Sequence, residues 1–282
     1  MKRLIVTDST ADLPEEIVKK YGIRVMPVNV ILDGKTHKDG VDITRADFYA
    51  KFYNYQSMST EPIRYEDYAL EFLQMIQAYD EMIIIHCSGH LSDTVNVAKR
   101  VNEEFGAHSN CRVQVIDSRL CSMSMGMVII AAAQASAKGC SFEEVLAVIE
   151  KTKDRLGNYM AVPTLKYLRK GKKIGGFKAL FGLALGVKPV LAFDDGRLVV
   201  NTKLFGKQKN MILSMMDTIK ADVGAHPITL SIIYSGDESL VKNLKDVFSS
   251  TFDCRDVYIA RFGPAISINT GPDSYAVMFI KH

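Results

Sequence analysis

The chain has 282 residues, 48% of them hydrophobic and 24% charged, with a formal net charge of +3 and no tryptophan. Such a composition supplies a substantial core and excludes a disordered chain, and the length suggests two domains rather than one. The small net charge gives no case for nucleic acid. The longest strongly apolar stretch, Met125 to Ala133, falls well short of the roughly 20 residues that cross a bilayer, so no stable membrane insertion is expected.

Leu4-Ile5-Val6 reads as a short, fully buried strand closed by the polar turn Thr7-Asp8-Ser9-Thr10. Asp12 is placed to cap a helix whose first turn holds Pro14, Glu15 and Glu16, where a helix start favours proline and acids. Ile23 to Leu32 reads as a second strand, Asp33-Gly34 and Asp39-Gly40 as turns, and Thr44 to Tyr53 and Arg64 to Tyr79 as helices. Met82 to His86 is another uniformly apolar strand. A helix over Leu91 to Phe105, a strand over Val113 to Ile116 and an apolar helix over Leu120 to Ala137 follow. The next helix, Ser141 to Leu156, opens on the capping box Ser141-x-x-Glu144. Continuous apolar strands alternating with helices imply a parallel sheet covered on both faces.

The pattern changes near Gly157. A basic segment from Lys166 to Lys173 leads into an apolar, glycine-spaced stretch from Phe177 to Gly186. The segments Lys188 to Phe193 and Leu198 to Thr202 flank Asp194-Asp195-Gly196-Arg197, a hairpin signature. A helix from Lys207 to Lys220, a strand Ile228 to Tyr234, a helix Glu238 to Ser250 and strands Val257 to Arg261 and Ser274 to Ile280 complete this half. The expected fold is α/β, with two packed domains. Residues 1–157 form a mostly parallel sheet with helices on both faces, and residues 158–282 form a mixed sheet with helices.

Five cysteines (Cys87, Cys111, Cys121, Cys140, Cys254) are scattered without CxxC spacing, which argues against a zinc knuckle or redox dithiol and fits a reducing compartment. The first eight residues turn polar too soon for a signal peptide, so the expected location is cytoplasmic. His86, His90 and His108 lack metal-ligand spacing, and His86 reads as a satisfied core residue. Asp33, Asp39 and Asp42 lack the spacing of a calcium loop and read as turn residues and a helix cap. No metal and no cofactor is expected. There is no glycine-rich nucleotide cradle, and no nucleophile elbow.

Ligands of open α/β sheets sit beyond the carboxyl ends of the strands. Here those ends carry Thr7-Asp8-Ser9-Thr10, Cys87 to Thr94 and Asp117-Ser118-Arg119, with a fourth hydroxyl-rich loop from Ser57 to Pro62. Hydroxyls and free N–H groups at helix starts suit an anion such as a carboxylate or phosphate; each one taken alone reads first as a helix cap, and only the set together points to a shared site. The basic run Lys166, Arg169, Lys170, Lys172, Lys173 is either a solvated helix face or a positive rim beside the apolar stretch that follows it. An apolar slot with a polar mouth is what an amphiphile needs. An enzyme reading stays open beside this one, a phosphoryl-transfer or small-acid enzyme using Asp8, Asp117 and nearby lysines. So does a sensor whose basic face docks another protein.

An ordered series of motifs runs nearly end to end: Thr7 to Pro14, Asp39-Gly40-Val41-Asp42-Ile43, Ser59-Thr60-Glu61-Pro62, Leu91-Ser92-Asp93-Thr94, Asp117-Ser118-Arg119, Tyr167 to Ile174, Lys188-Pro189 with Asp195-Gly196, and Asn269-Thr270-Gly271-Pro272. Each is weak alone; together they resemble the DegV family of bacterial fatty-acid-binding proteins. The resemblance implies a non-catalytic carrier that binds a long-chain fatty acid, C14–C18 in length, non-covalently between its domains. The first domain would hold the carboxylate and the second would cover the acyl chain. Carried over by position, the carboxylate ligands are Ser59, Thr60, Ser92, Asn269 and Thr270. Lys172, Lys173 and Lys203 form a basic rim, and Phe177, Leu180, Phe181 and Leu183 line the tunnel. The resemblance also implies a separate fatty acid kinase subunit as partner. Lys173 and Lys203 stand where the family pattern has arginine, and Asn269 where it has histidine.

Overall fold

Leu4, Ile5 and Val6 leave no polar face for water, and the strand they form, β1 (Arg3–Asp8), is an interior strand of a parallel sheet. Its neighbours are β2 (Arg24–Met26) and β6 (Glu81–His86), with β7 (Arg112–Asp117) beyond β6. Successive side chains of a strand point to opposite faces. Leu4, Val6, Met82 and Ile84 accordingly share one core with Tyr68, Ala69 and Phe72 of α3 (Tyr65–Ala78) and Val97, Ala98 and Val101 of α4 (Thr94–Phe105). Ile5, Ile83 and Ile85, buried on the alternate face, lie on the side where α5 (Ser122–Ala137) packs against β1 and β6. With both faces covered, nearly every residue of β1 and β6 is buried. Sequence and structure agree on this parallel sheet.

The computed structural model describes residues 1–171, 173, 187–205, 208–235 and 238–282, and the chain divides into two compact units. The first is Met1–Lys153 with Gly263–Ala265, and the second is Asp154–Phe262 with Ile266–His282. Besides the parallel sheet, the first unit contains α1 (Glu15–Tyr21) and a three-stranded antiparallel sheet of β3 (Asn29–Leu32), β4 (Lys35–Lys38) and β5 (Met58–Glu61), in the order β4-β3-β5. Helices α2 (Arg45–Lys51) and α6 (Phe142–Asp154) complete it. The capping box forms as expected: the Ser141 N–H donates to Glu144 Oε2 at 2.7 Å, and the Glu144 N–H to Ser141 Oγ at 3.2 Å.

The single strand expected over Ile23 to Leu32 is instead two strands in two sheets. Pro27 sits at the break; it has no N–H for a ladder, and the Val28 amide goes to Ser9 Oγ at 3.1 Å instead. Asp12 does not cap α1 either. It lies in the left-handed region at φ 54°, and α1 starts behind Pro14 without a side-chain cap.

The second unit is a six-stranded mixed sheet in the order β10-β9-β8-β13-β11-β12. Its strands are β8 (Leu156–Ala161), β9 (Val187–Asp194), β10 (Arg197–Phe205), β11 (Ile228–Tyr234), β12 (Cys254–Arg261) and β13 (Tyr275–Lys281). Only β11 and β12 run parallel among the pairs described. Helices α7 (Lys166–Lys170), α8 (Gln208–Val223), α9 (Glu238–Thr251) and α10 (Pro264–Thr270) accompany it, with Ile219, Phe248, Leu230, Val277 and Phe279 in its core. Asp195 and Gly196 at φ 42° and 79° form the two-residue turn that the Asp-Gly pair announces. β8 falls where the sequence suggests a helix end: Gly157 lies under the Phe279 ring, where a side-chain carbon would overlap it.

Candidate functional site

The parallel strands deliver three polar groups at their carboxyl ends: Asp8 from β1, His86 from β6 and Asp117 from β7. Asp8 and His86 are fully buried, and both are bonded. His86 Nδ1 lies 2.8 Å from Asp8 Oδ2, and Tyr68 Oη lies 2.8 Å from His86 Nε2. A carboxylate only accepts, so Nδ1 donates its proton to Asp8; in the neutral ring Nε2 then accepts from the Tyr68 hydroxyl. Tyr68 keeps that hydroxyl proton, because burial and the nearby Asp8 charge push its pKa well up. The Cys87 and Thr10 amides and the Thr10 hydroxyl also donate to Asp8. Burial alone would raise the Asp8 carboxyl, but His86, Thr10 and Cys87 outweigh it and hold the pKa below its ordinary value.

Asp117 is likewise committed: Oδ1 accepts from the Arg119 amide at 2.8 Å and Oδ2 from the Gly89 amide at 3.2 Å. Its task here is to hold two turns, with Arg119 at φ 57°. The two acids of the enzyme reading are therefore both engaged as acceptors for neighbouring donors. The core reading of His86 matches its geometry.

The hydroxyls expected to meet an anion lie in the turn that follows β6 and on β5. Ser92 sits half-buried in the turn before α4. Its amide donates to Ser88 O at 3.0 Å, and its Oγ lies 3.1 Å from Thr94 Oγ1 and accepts from the Thr94 amide at 3.4 Å. Ser59 and Thr60 are on β5 opposite Ile31 and Val30. The pleat separates them, with Thr60 on the more covered face and Ser59 exposed. The segment leaving β5 is tied to the Ser92 turn: the Ile63 amide donates to Thr94 Oγ1 at 3.4 Å, and Asn29 Nδ2 donates to the Pro62 carbonyl at 2.9 Å. Thr94 and Asn29 are fully buried and their roles depend on contacts distant in sequence; only the Ser-x-Thr spacing of 92 and 94 hints at one of them.

A second acidic station lies in the same unit. Asp12 accepts from Ser122 Oγ at 2.6 Å and from the Gly263 amide at 2.7 Å, with Arg45 Nη2 3.9 Å away. Asp39, read from sequence as a turn residue, is buried and accepts from Ser9 and from the Ala265 amide. Burial is the chief cause that lifts Asp12 to about 6 and Asp39 to about 7; the Asp12 charge adds to the rise at Asp39, and Arg45 opposes it at both. Asp39 Oδ1 is buried without a hydrogen-bond partner among the described residues. These groups border a cleft of about 540 Å³ that Leu13, Val41 and Thr44 also line.

In the second unit, Asn269 and Lys173 flank Gly171, where a side-chain carbon would overlap Asn269 Oδ1 and approach Lys173 Cγ at 3.3 Å. The Thr270 hydroxyl donates within its own segment, to Ile266 O at 3.2 Å. Lys203 is placed by its backbone in β10 opposite Pro189. Lys172, Phe177, Leu180, Phe181 and Leu183 lie outside the described residues. Among the described residues, no group of three or more His, Cys, Asp or Glu could hold a metal ion, and no helix is long and apolar enough to cross a membrane.

The sequence profile of a family described as "Uncharacterised protein, DegV family" matches residues 2–282. A DegV domain-containing protein of Caldanaerobacter subterraneus subsp. tengcongensis is 29% identical over 280 residues, covering 99% of this chain and 98% of that one. Among solved structures, a DegV family protein from Thermus thermophilus, reported for its fatty acid binding, superposes with a TM-score of 0.91 at 30% identity, covering 100% of both chains. DegV of Bacillus subtilis, described as a fatty acid binding protein, has the same fold at 23% identity, with a TM-score of 0.90 and 100% of both chains covered. With a match over essentially its whole length, its sheets in the order above and its motifs at the strand ends, the chain belongs to the DegV family.

Proposed function

We propose that this protein binds a long-chain fatty acid non-covalently and positions its carboxylate with Ser92 and one hydroxyl of the Ser59–Thr60 pair. The observation that carries the reading is the bonded Ser92–Thr94–Ile63 link, which joins the two hydroxyl-bearing segments at the carboxyl end of a parallel sheet. The support from relatives is the Thermus thermophilus protein, alike over its full length and reported for fatty acid binding. Asp8 and Asp117, the acids an enzyme would use, have their oxygens committed to neighbouring donors.

The energetics suit a carrier. Each buried methylene contributes about 0.8 kcal/mol, so a tail of some 15 offers on the order of 12 kcal/mol. Ordering and immobilising the tail takes back several kcal/mol or more. Hydroxyl bonds to a carboxylate add about 1.5–3 kcal/mol each at best, so the tail sets affinity and the head sets orientation. We assign the tail contacts to Phe177, Leu180, Phe181 and Leu183, and a positive rim to Lys172, Lys173 and Lys203, with Asn269 beside it. The positioned head is then available to a separate ATP-dependent kinase subunit in the cytoplasm.

Native mass spectrometry of protein purified from a bacterial host tests the reading: a retained C14–C18 acid is expected, and a nucleotide or an empty protein would overturn it. Ser92→Ala should weaken palmitate binding by about tenfold, one charge-assisted hydrogen bond, with the fold intact. If Ser59→Ala, Thr60→Ala and Ser92→Ala all bind as the parent does, the head-group assignment is wrong.

A further inference from the structure

Thr94 is completely buried, and a buried hydroxyl must place its proton on an acceptor or pay the cost of an unmade bond. Three hydrogen bonds define its surroundings. The Ile63 amide donates to Thr94 Oγ1 at 3.4 Å, so this oxygen is already an acceptor on one side. The Thr94 amide donates to Ser92 Oγ at 3.4 Å, and the two hydroxyl oxygens stand 3.1 Å apart. The proton between them can lie either way. If Ser92 donates to Thr94, the Thr94 hydrogen is left in the core with no acceptor among the described residues. If Thr94 donates to Ser92, every group is satisfied: Thr94 Oγ1 accepts once and donates once, and Ser92 Oγ accepts twice. The Ser92 hydrogen is then turned out of the relay, on a residue that is itself only half-buried.

We propose that Thr94 is a positioning residue for anion binding: its buried hydroxyl, anchored by the Ile63 amide, donates to Ser92 and so presets the Ser92 hydroxyl as a donor to a carboxylate. A hydroxyl free to rotate must give up that freedom when it binds, whereas one already aimed does not. The same relay explains how two segments distant in sequence act as one site. Ile63 follows the Ser59–Thr60 strand directly, so Thr94 fixes the distance between that strand's exit and the Ser92 turn. The inference rests on the reading of Ser92 as a carboxylate ligand given above.

The test uses [1-13C]palmitate bound to the full-length protein, following the carboxyl 13C resonance and Kd, with Tm as the readout of fold. Thr94→Val keeps the shape and removes the hydroxyl; Thr94→Ser restores it. The expected result is a displaced carboxyl resonance and a Kd weakened about fivefold to tenfold in Thr94→Val, both returned to the parent values in Thr94→Ser. Should the valine variant not fold, Thr94→Cys, a much weaker donor of similar shape, takes its place with the same expectation. A parent-like resonance and Kd in Thr94→Val, together with a displaced resonance in Ser92→Ala, overturns the role of Thr94 and leaves the head-group reading standing. A parent-like resonance in Ser92→Ala overturns both.

Discussion

Two polar clusters stand side by side at the carboxyl end of the parallel sheet, and they are built on opposite rules. In the Asp8–His86–Tyr68 knot every group is buried and bonded within the cluster, so nothing is left to offer a ligand. In the Ser92 turn the bonds end on a half-buried hydroxyl whose own proton the relay leaves uncommitted. A closed network in a low-dielectric interior specifies structure, and one with a spare donor at its rim specifies binding. The distinction does not follow residue type, since Thr10 beside Asp8 and Thr94 beside Ser92 carry the same hydroxyl to different ends.

The strongest way to break this contrast is His86→Ala. It removes the ring that donates to the Asp8 carboxylate and leaves the Tyr68 hydroxyl without its partner in the core, a loss of the kind that costs about 3–5 kcal/mol. Thermal unfolding should show it, and most plainly at neutral pH. The pKa of Asp8 is depressed in the folded protein, so its contribution is present above the ordinary carboxylate value and lost as pH falls through the folded one. The gap between parent and variant should therefore narrow in acid; a gap that stays constant down to the acid limb would refute the stabilising role of the pair.

The next largest effect has the opposite sign. Asp39 is raised to about 7, so its contribution is full below the unfolded value, about 4, and is lost as pH rises through about 7. Asp39→Asn removes that titration while keeping an acceptor for Ser9 and the Ala265 amide. It should stabilise the protein at pH 8 by at most about 4 kcal/mol, the scale set by 1.36 kcal/mol per unit of pKa, and flatten the profile between about pH 4 and 7. Unfolding midpoints across that range check it, and a variant less stable than its parent at pH 8 would mean that Asp39 is charged and stabilised there.

These two acids also mark how far the sequence could be read. The parallel sheet was legible because its strands are apolar on both faces, and the Asp195-Gly196 turn because its backbone demands it. Strands β4 and β5 were hidden, since Lys-Thr-His-Lys and Met-Ser-Thr-Glu sit at the edges of a small sheet where burial leaves little pattern. In the candidate site, Ser92 was legible as a hydroxyl at a strand end. Asp39 read as a turn residue because nothing local announces that the Ala265 amide, more than two hundred residues on, will donate to it. Asp12 misled for the same reason, its carboxylate being drawn to Ser122 and Gly263 rather than to the helix beside it. Long-range bonds have no local periodicity to betray them.

The smallest effect sharpens the contrast most. Ser92→Ala deletes the acceptor of the Thr94 hydroxyl, yet Ser92 is half-buried and a water molecule can take its place at the rim of the turn. The stability loss should therefore be about 1 kcal/mol or less, well below that of His86→Ala, although both variants remove a hydrogen-bonding partner of a buried group. Set against the tenfold loss of palmitate affinity expected of the same substitution, this separates the roles: one cluster would carry stability and the other affinity. Chemical denaturation and ligand titration on the same two variants decide it. If Ser92→Ala unfolds as easily as His86→Ala, the turn is part of the structural knot and its hydroxyl was never spare.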